Sequence, residues 1–380
     1  MTNAKVPESG NTGLLYDKYC NQWCRDPEKT GPAKWSLEAF KDGNPKFEWI
    51  SKIAEKTIGS ETLLREAVDR QASLLCTYAQ TPFFFETDWH FVTGLGREHP
   101  IENGFAWHHN LGVPYLPGSS IKGMVRAWAE YWLDPKPAES GLFQIFGPRG
   151  NAARKSPASG SVIFLDAIPT NPVTLKADIM TPHYAPYYEH PSHNPPADWY
   201  SPTPIPFLVV APGTTFQFGL LPRRCDDNAD VEKAREWLAR ALEVIGAGAK
   251  TAVGYGRMKL DIAAENKYQK VQQAKEQLRQ LEMEQAQDRL MTPDQRRIKE
   301  LRKLFVNPAT QSDDERKQQL LACTAQLLKD AQKWKTHDDR LAAANLIETI
   351  YEDFNRAKDS TKKQESRQAA IAKLRQLNPE

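Results

Sequence analysis

Glycine disappears from this chain after Gly256: all 21 glycines lie at or before it, and only Pro293, Pro308 and Pro379 punctuate the sequence beyond residue 260. A stretch without glycine and nearly without proline lacks the residues of tight turns, which excludes a β-rich C-terminal part and predicts helices. Cysteine is equally sparse. Cys20, Cys24, Cys76, Cys225 and Cys323 are odd in number and scattered, with no C-x-x-C pair, which excludes a zinc ribbon or a disulfide scaffold and suits a reducing compartment. No apolar run approaches the roughly 20 residues that cross a bilayer, so no membrane partner is expected. The opening MTNAKVPESGNTG carries one lysine and no apolar stretch, so a cytoplasmic chain without a secretory signal is expected. Net charge is only +2, from 50 basic and 48 acidic residues, so a nucleic-acid partner has to be read from local arrangement.

What is present before residue 260 is a mixed α and β texture in a chain of 380 residues, long enough for two structural units. Leu64, Val68, Ala72 and Leu75 recur at helical spacing over 61–79. Phe83–Gly94 alternates aromatic and polar positions and predicts a strand. Ser119–Leu133 reads as a helix, Ser161–Ile168 and Thr215–Leu221 as strands, Val231–Ile245 as an amphipathic helix, and Val253–Leu260 as a closing strand. The order strand, helix, two strands, helix, strand is the plan of a ferredoxin-like (RRM-like) α+β fold. Insertions interrupt it, above all the proline-rich segment 182–206.

The tail parses from its caps. Val271, Ala274, Leu278 and Leu281 predict a first amphipathic helix. Thr292-Pro293-Asp294-Gln295 supplies an N-cap, a proline at the first helical position and a capping-box glutamine. Ile298, Leu301, Leu304 and Phe305 then share a face until Asn307-Pro308. Ser312 with Glu315 forms a second capping box, Leu320, Leu321, Leu327 and Leu328 continue that helix, and Leu341, Leu346, Ile350 and Phe354 mark another. No heptad persists across the breaks, so a small bundle is expected rather than a long coiled coil. The expected division is an N-terminal extension over 1–60, an α+β domain over 61–263 and an all-helical extension over 264–380.

Two segments carry candidate chemistry. In Gly112–Gly123 (GVPYLPGSSIKG), Gly118 permits a sharp turn and Ser119 or Ser120 is placed to cap the following helix. Ile121, Val125, Trp128 and Trp132 form an inward stripe, and Lys122 and Arg126 are one turn apart on the expected outer stripe. Helix-start amides, serine hydroxyls and two cations together suit a phosphate. The spacing is not that of a Walker A loop. In Gly246–Arg257 (GAGAKTAVGYGR), Gly246, Gly248, Gly254 and Gly256 allow close approach of a backbone, while Lys250, Thr251 and Arg257 add two charges and a hydroxyl. A dinucleotide fingerprint fails there, because Lys250 and Thr251 stand where its third glycine belongs. His108 and His109, and His183, His190 and His193, lack the spacing of a metal site, and no nucleophile elbow is present. No metal, cofactor or catalytic residue is expected.

Taken together and in this order, Gly94-Leu95-Gly96, Glu102-Asn103-Gly104-Phe105, the 112–123 segment and the loop ending in Val253-Gly254-Tyr255-Gly256-Arg257 resemble the RAMP proteins of type III CRISPR effectors. Phe164–Pro169, Asp178–Tyr184 and Pro204–Val209 resemble most the subunit-six family of the Cmr (type III-B) complex. The resemblance covers roughly 61–260. It implies a non-catalytic backbone subunit of a ribonucleoprotein, with guide RNA (near its 3′ end), target RNA and other Cmr subunits as partners in antiviral defence. It also implies that guide phosphates meet the helix start at Ser119–Arg126 and the 246–257 loop. Cleaving relatives place an aspartate upstream of the Pro-Gly-Ser-Ser turn. Here Glu102 is the nearest counterpart, and because a glutamate can bind a metal or act as a base, a metal-dependent endoribonuclease is the alternative.

Overall fold

A computed structural model describes residues 10–25, 35–37, 44–134, 138–149, 158–306, 313–354 and 361–376. The chain divides into two compact units, 1–269 and 270–380.

The first unit is built on a four-stranded antiparallel sheet. Its strands lie in the order Met258–Leu260, Phe83–Thr87, Thr215–Phe218, Ile168–Pro169. Phe83 pairs with Phe218 and Phe85 with Phe216, so alternation along the strands turns these four rings to one face. They are buried there in one core with Ile121, Val125 and Trp128 of the helix Gly118–Tyr131 and with Val231, Ala234, Leu238 and Leu242 of the helix Asn228–Val244. Trp132 departs from the expected stripe. It closes the helix as its C-cap, is 57% exposed, and stacks on Trp128 at 5.8 Å.

The other face of the sheet is also covered. Gln217, fully buried, donates from Nε2 to the Val68 carbonyl at 3.0 Å and to Gln71 Oε1 at 2.8 Å, both on the helix Glu61–Thr77. Phe84 is 4% exposed, and Tyr268 lies 5.8 Å from its ring. Neither face of this sheet is open.

Two expected strands are each divided. Ser161–Ile168 becomes Val162–Phe164 and Ile168–Pro169, and Thr215–Leu221 becomes Thr215–Phe218 and Leu220–Pro222. The break falls at Gly219, where a side chain would press on Leu75 and Leu165 at 2.9–3.1 Å. The outer halves pair with each other as a separate ribbon. The strand from Phe83 ends at Thr87 rather than at Gly94, and Val253–Leu260 is a strand only from Met258. A further sheet, Thr57–Ile58, Val173–Met180 and Ile205–Val210, is tied to the chain just beyond the Phe83–Thr87 strand by a bridge from Val210 to Phe91.

The helices Thr12–Lys18 and Pro45–Ile53 start on Asn11 and Asn44, whose side chains accept amides of the first turn. Tyr16 is fully buried, stacks on His99 at 4.4 Å and donates to the Asn103 carbonyl at 2.8 Å. Burial lowers the His99 pKa. Tyr16, Trp49, Ile50 and Ile53 belong to the same core as the sheet.

In the second unit the helices Pro293–Val306, Asp313–Ala331, His337–Phe354 and Thr361–Gln376 enclose their own core through Ile298, Leu301, Leu320, Leu327, Leu346, Ile350, Ile371 and Leu374. The Thr292/Gln295 capping box forms reciprocally, each bond 3.2 Å. The expected box at Ser312 and the stop at Asn307-Pro308 lie outside the described residues. The long helix Ile262–Leu290 buries none of its residues, so Val271, Leu278 and Leu281 form an exposed face, not the packed one expected. No helix among the described residues is long and apolar enough to cross a membrane.

Candidate functional site

The two segments singled out by their chemistry meet. Ser120, Gly123 and Met124 of the helix Gly118–Tyr131 face Gly246, Gly248, Ala249 and Thr251 across a groove of about 450 Å³. Thr93–Gly96, Leu116 and Ile245 complete its lining, which carries no charged side chain. Gly94 and Gly96, which entered only through the family resemblance, thereby join the site.

The helix start differs from expectation. Pro117 occupies the cap position and neither serine caps; the Gly118 amide instead donates to Asp166 Oδ1 at 2.7 Å. That carboxylate already neutralises the first helical amide. The exposed Ser119 and Ser120 hydroxyls are therefore not used as caps.

Lys122 and Arg126 do not belong to the groove. At about 100° per residue, Lys122 points about 160° away from Met124 around the helix. Arg126 is not on an outer stripe either, since its side chain is only 13% exposed. Its Nε donates to Glu130 Oε1 at 2.6 Å and its Nη1 to the Gly147 carbonyl at 3.1 Å, above the Phe146 ring. A cation so committed stabilises the packing of Glu139–Phe146 on the Gly118–Tyr131 helix.

The glycine loop serves the chain's own backbone first. A Cβ on Gly248 would lie 2.0 Å from the Val92 carbonyl oxygen, and one on Gly256 would lie 1.9 Å from that of Ala247, both at positive φ. Gly254 alone of the four faces open space. Lys250, between two groove residues, takes a left-handed conformation at φ 58° and sets its ammonium 5.3 Å from the Phe207 ring. Thr251 opens a 3₁₀ turn, and Arg257 is exposed. Tyr255 donates to Asp178 Oδ2 at 2.5 Å, tying the loop to the Val173–Met180 strand; burial and that carboxylate push its pKa up to about 12.

Glu102, at φ 76°, is ion-paired with Lys46. His108 is half-buried, its pKa lowered by burial, and its Nδ1 accepts the Leu111 amide at 3.3 Å. His109, His183, His190 and His193 are exposed, and among the described residues no group of acids, histidines and cysteines is arranged to hold a metal. Sequence reasoning passed over Arg223, whose side chain is fastened to the Gly160 carbonyl next to the Gly147 carbonyl that holds Arg126. It lies about 100 residues beyond Lys122 in the chain, just past the Val162–Phe164/Leu220–Pro222 ribbon, where its amide continues the pairing to Ser161.

The RAMP superfamily profile matches residues 79–259. The CRISPR system Cmr subunit Cmr6 of Pyrococcus furiosus is 30% identical over 288 aligned residues, covering 59% of this chain and 84% of that protein. The Cmr6 subunit of Saccharolobus solfataricus is 31% identical over 173 residues, 44% of this chain and about half (52%) of that protein. Among solved structures, a chain of the type III-B Cmr-beta complex bound to cognate target RNA shares 25% identity at a TM-score of 0.45, over 57% of this chain and 71% of that one. The crystal structure of Cmr6 from Pyrococcus furiosus shares 32% identity at a TM-score of 0.32, over 48% and 97%. The chain belongs to the RAMP superfamily and, within it, to the Cmr6 subunits of CRISPR Cmr systems.

Proposed function

We propose that this chain is a non-catalytic backbone subunit of a type III-B CRISPR effector, and that it holds guide RNA in the groove between the Gly118–Tyr131 helix and the 246–257 loop. The core is read as ferredoxin-like, supported by the antiparallel strand order and the two helices that alternate with its strands. An RRM stacks bases on an open sheet face. Here both faces are occupied by side chains, so the RNA contacts are assigned to loops and helix starts.

One observation carries the reading: two segments more than 120 residues apart converge on one uncharged, glycine-lined groove. Ser120 and Thr251 offer hydroxyls there, with the exposed Ser119 beside Ser120 at the helix start, and Lys250 and Arg257 offer the positive charge of the loop. A floor without carboxylates admits a phosphodiester backbone closely and without repulsion. Target RNA and neighbouring Cmr subunits are its further partners in the assembled effector. Support for a non-catalytic role comes from Glu102, whose carboxylate is held by Lys46.

The test is a binding and cleavage assay with the full chain and single-stranded guide RNA, with and without magnesium. Sequence-tolerant, salt-dependent binding without cleavage is expected. Magnesium-dependent cleavage abolished by Glu102→Ala would establish the endoribonuclease instead.

A further inference from the structure

The face of the Gly118–Tyr131 helix turned away from the groove carries a second assembly of cations. Arg126 is fixed there by Glu130 and the Gly147 carbonyl. Arg223, just past the Leu220–Pro222 strand, is pinned in a matching way: its Nε donates to the Gly160 carbonyl at 2.7 Å and its amide to the Ser161 carbonyl at 2.7 Å. The two anchor points adjoin, since a Cβ on Gly147 would lie 3.1 Å from the Gly160 nitrogen. Two guanidinium groups are thus fastened to neighbouring stretches of backbone, and Lys122, one helical turn before Arg126, shares its face of the helix.

The charges do not balance. Glu130 is committed to Arg126, with Arg149 a further 3.8 Å neighbour, and neither Lys122 nor Arg223 forms an ion pair with any described carboxylate. The Lys122 pKa is lowered by burial first and then by Arg126 and Arg223, with no acid opposing them. Like charges gathered at a half-buried position disfavour one another, and an anion bound among them removes that repulsion. With Nε committed to backbone, Arg223 keeps its two terminal nitrogens in a fixed plane. That planar fork beside an ammonium matches two oxygens of a phosphate.

We propose that Lys122 and Arg223, with Arg126 behind them, form a phosphate clamp distinct from the groove, which grips a phosphodiester of bound RNA on the opposite face of the same helix. The identity of the ligand as RNA rests on the function proposed above; the phosphate chemistry does not.

The clamp is tested on the full chain with Lys122→Gln, Arg223→Gln and the double variant, titrated separately with a labelled single-stranded RNA and with inorganic pyrophosphate. For the double variant, RNA affinity falls about tenfold and the log–log salt slope shrinks by about 1.4, at about 0.7 per lost single-strand phosphate contact. Arg223→Lys keeps the charge but loses the bond to Gly160, so a clamp retains most of the slope in this variant, whereas a purely structural arginine makes it as weak as Arg223→Gln. Wild-type RNA binding with unchanged affinity and slope in the double variant overturns the clamp. Pyrophosphate binding lost in the double variant, in a chain that binds no RNA, upholds the clamp for free phosphates and fails the RNA reading instead. If neither probe distinguishes the double variant from wild type, the clamp is wrong.

Discussion

Gly248→Val is expected to abolish RNA binding and to destabilise the first unit by about 3–4 kcal/mol, the sum of a left-handed backbone penalty, a lost hydrogen bond and steric displacement. The wild-type residue sits at φ 85°, where its missing Cβ would meet the Val92 carbonyl oxygen at 2.0 Å. That oxygen accepts the Ala249 amide at 2.8 Å, so displacing it unfastens the loop from the chain that follows the central strand. Two further bonds, from the Gly256 amide to the His90 carbonyl and from the Ala247 amide to the Gly256 carbonyl (both 2.8 Å), continue the same seam. A denaturant midpoint and an RNA titration on the same sample measure both effects. Gly254→Ala is the control, because its φ of 96° imposes about 1 kcal/mol of strain but its Cβ meets nothing. It keeps the fold and weakens RNA binding less than about tenfold. A Gly248→Val protein of native stability would show that the seam is not what shapes the groove.

Truncation gives the second large effect. A chain ending at Gln269 is expected to fold with native-like stability and to bind RNA within about threefold of the full chain, under about 1 kcal/mol. A chain ending at Ile262 is expected to lose about 2–3 kcal/mol, because it removes Tyr268 from above Phe84 and exposes an aromatic ring of the sheet. It also removes the Ala264 amide that Asp261 caps at 2.9 Å, and Glu265, 3.8 Å from Arg235. Reading the sequence alone, one would cut near Ile262, shortly past the closing strand at Leu260 and the last glycine at Gly256. The first turns of the long helix belong to the compact unit that runs to Gln269, and Tyr268 in them covers Phe84 of the sheet. Thermal unfolding of the two truncations separates these expectations. Equal stability would mean that Tyr268 covers nothing of consequence, and a large fall in RNA affinity at Gln269 would make the basic residues of the second unit an RNA surface.

Much of the core was legible because its signals are local. The 3.6-residue recurrence of Ile121, Val125 and Trp128, and of Val231, Ala234, Leu238 and Leu242, fixes two helices and their buried faces. The Thr292 capping box was legible for the same reason. The hairpin Val173–Met180/Ile205–Val210 is not legible as strands: Lys176, Ala177 and Asp178 blur the alternation, and the 182–206 insertion separates its halves. The helix at Pro45–Ile53 is signalled only by Asn44-Pro45, a cap followed by a first-turn proline. Of the candidate site, residue types were legible and directions were not. Lys122 and Ser120 are two residues apart, yet at about 100° per residue they lie on nearly opposite sides of one helix. Gly248 and Gly256 announce close approach of a backbone, but the sequence does not say that the backbone is the chain's own.

The groove itself is tested most directly by ultraviolet crosslinking of single-stranded guide RNA to the full chain, with the crosslinks mapped by residue. The account predicts adducts at Ser119–Ser120, Met124, Lys250–Thr251 and Arg257, joined by Lys122 and Arg223 where the clamp engages. Crosslinks confined to the 182–206 insertion or to the sheet edge at Lys259, with none on either side of the groove, would contradict it.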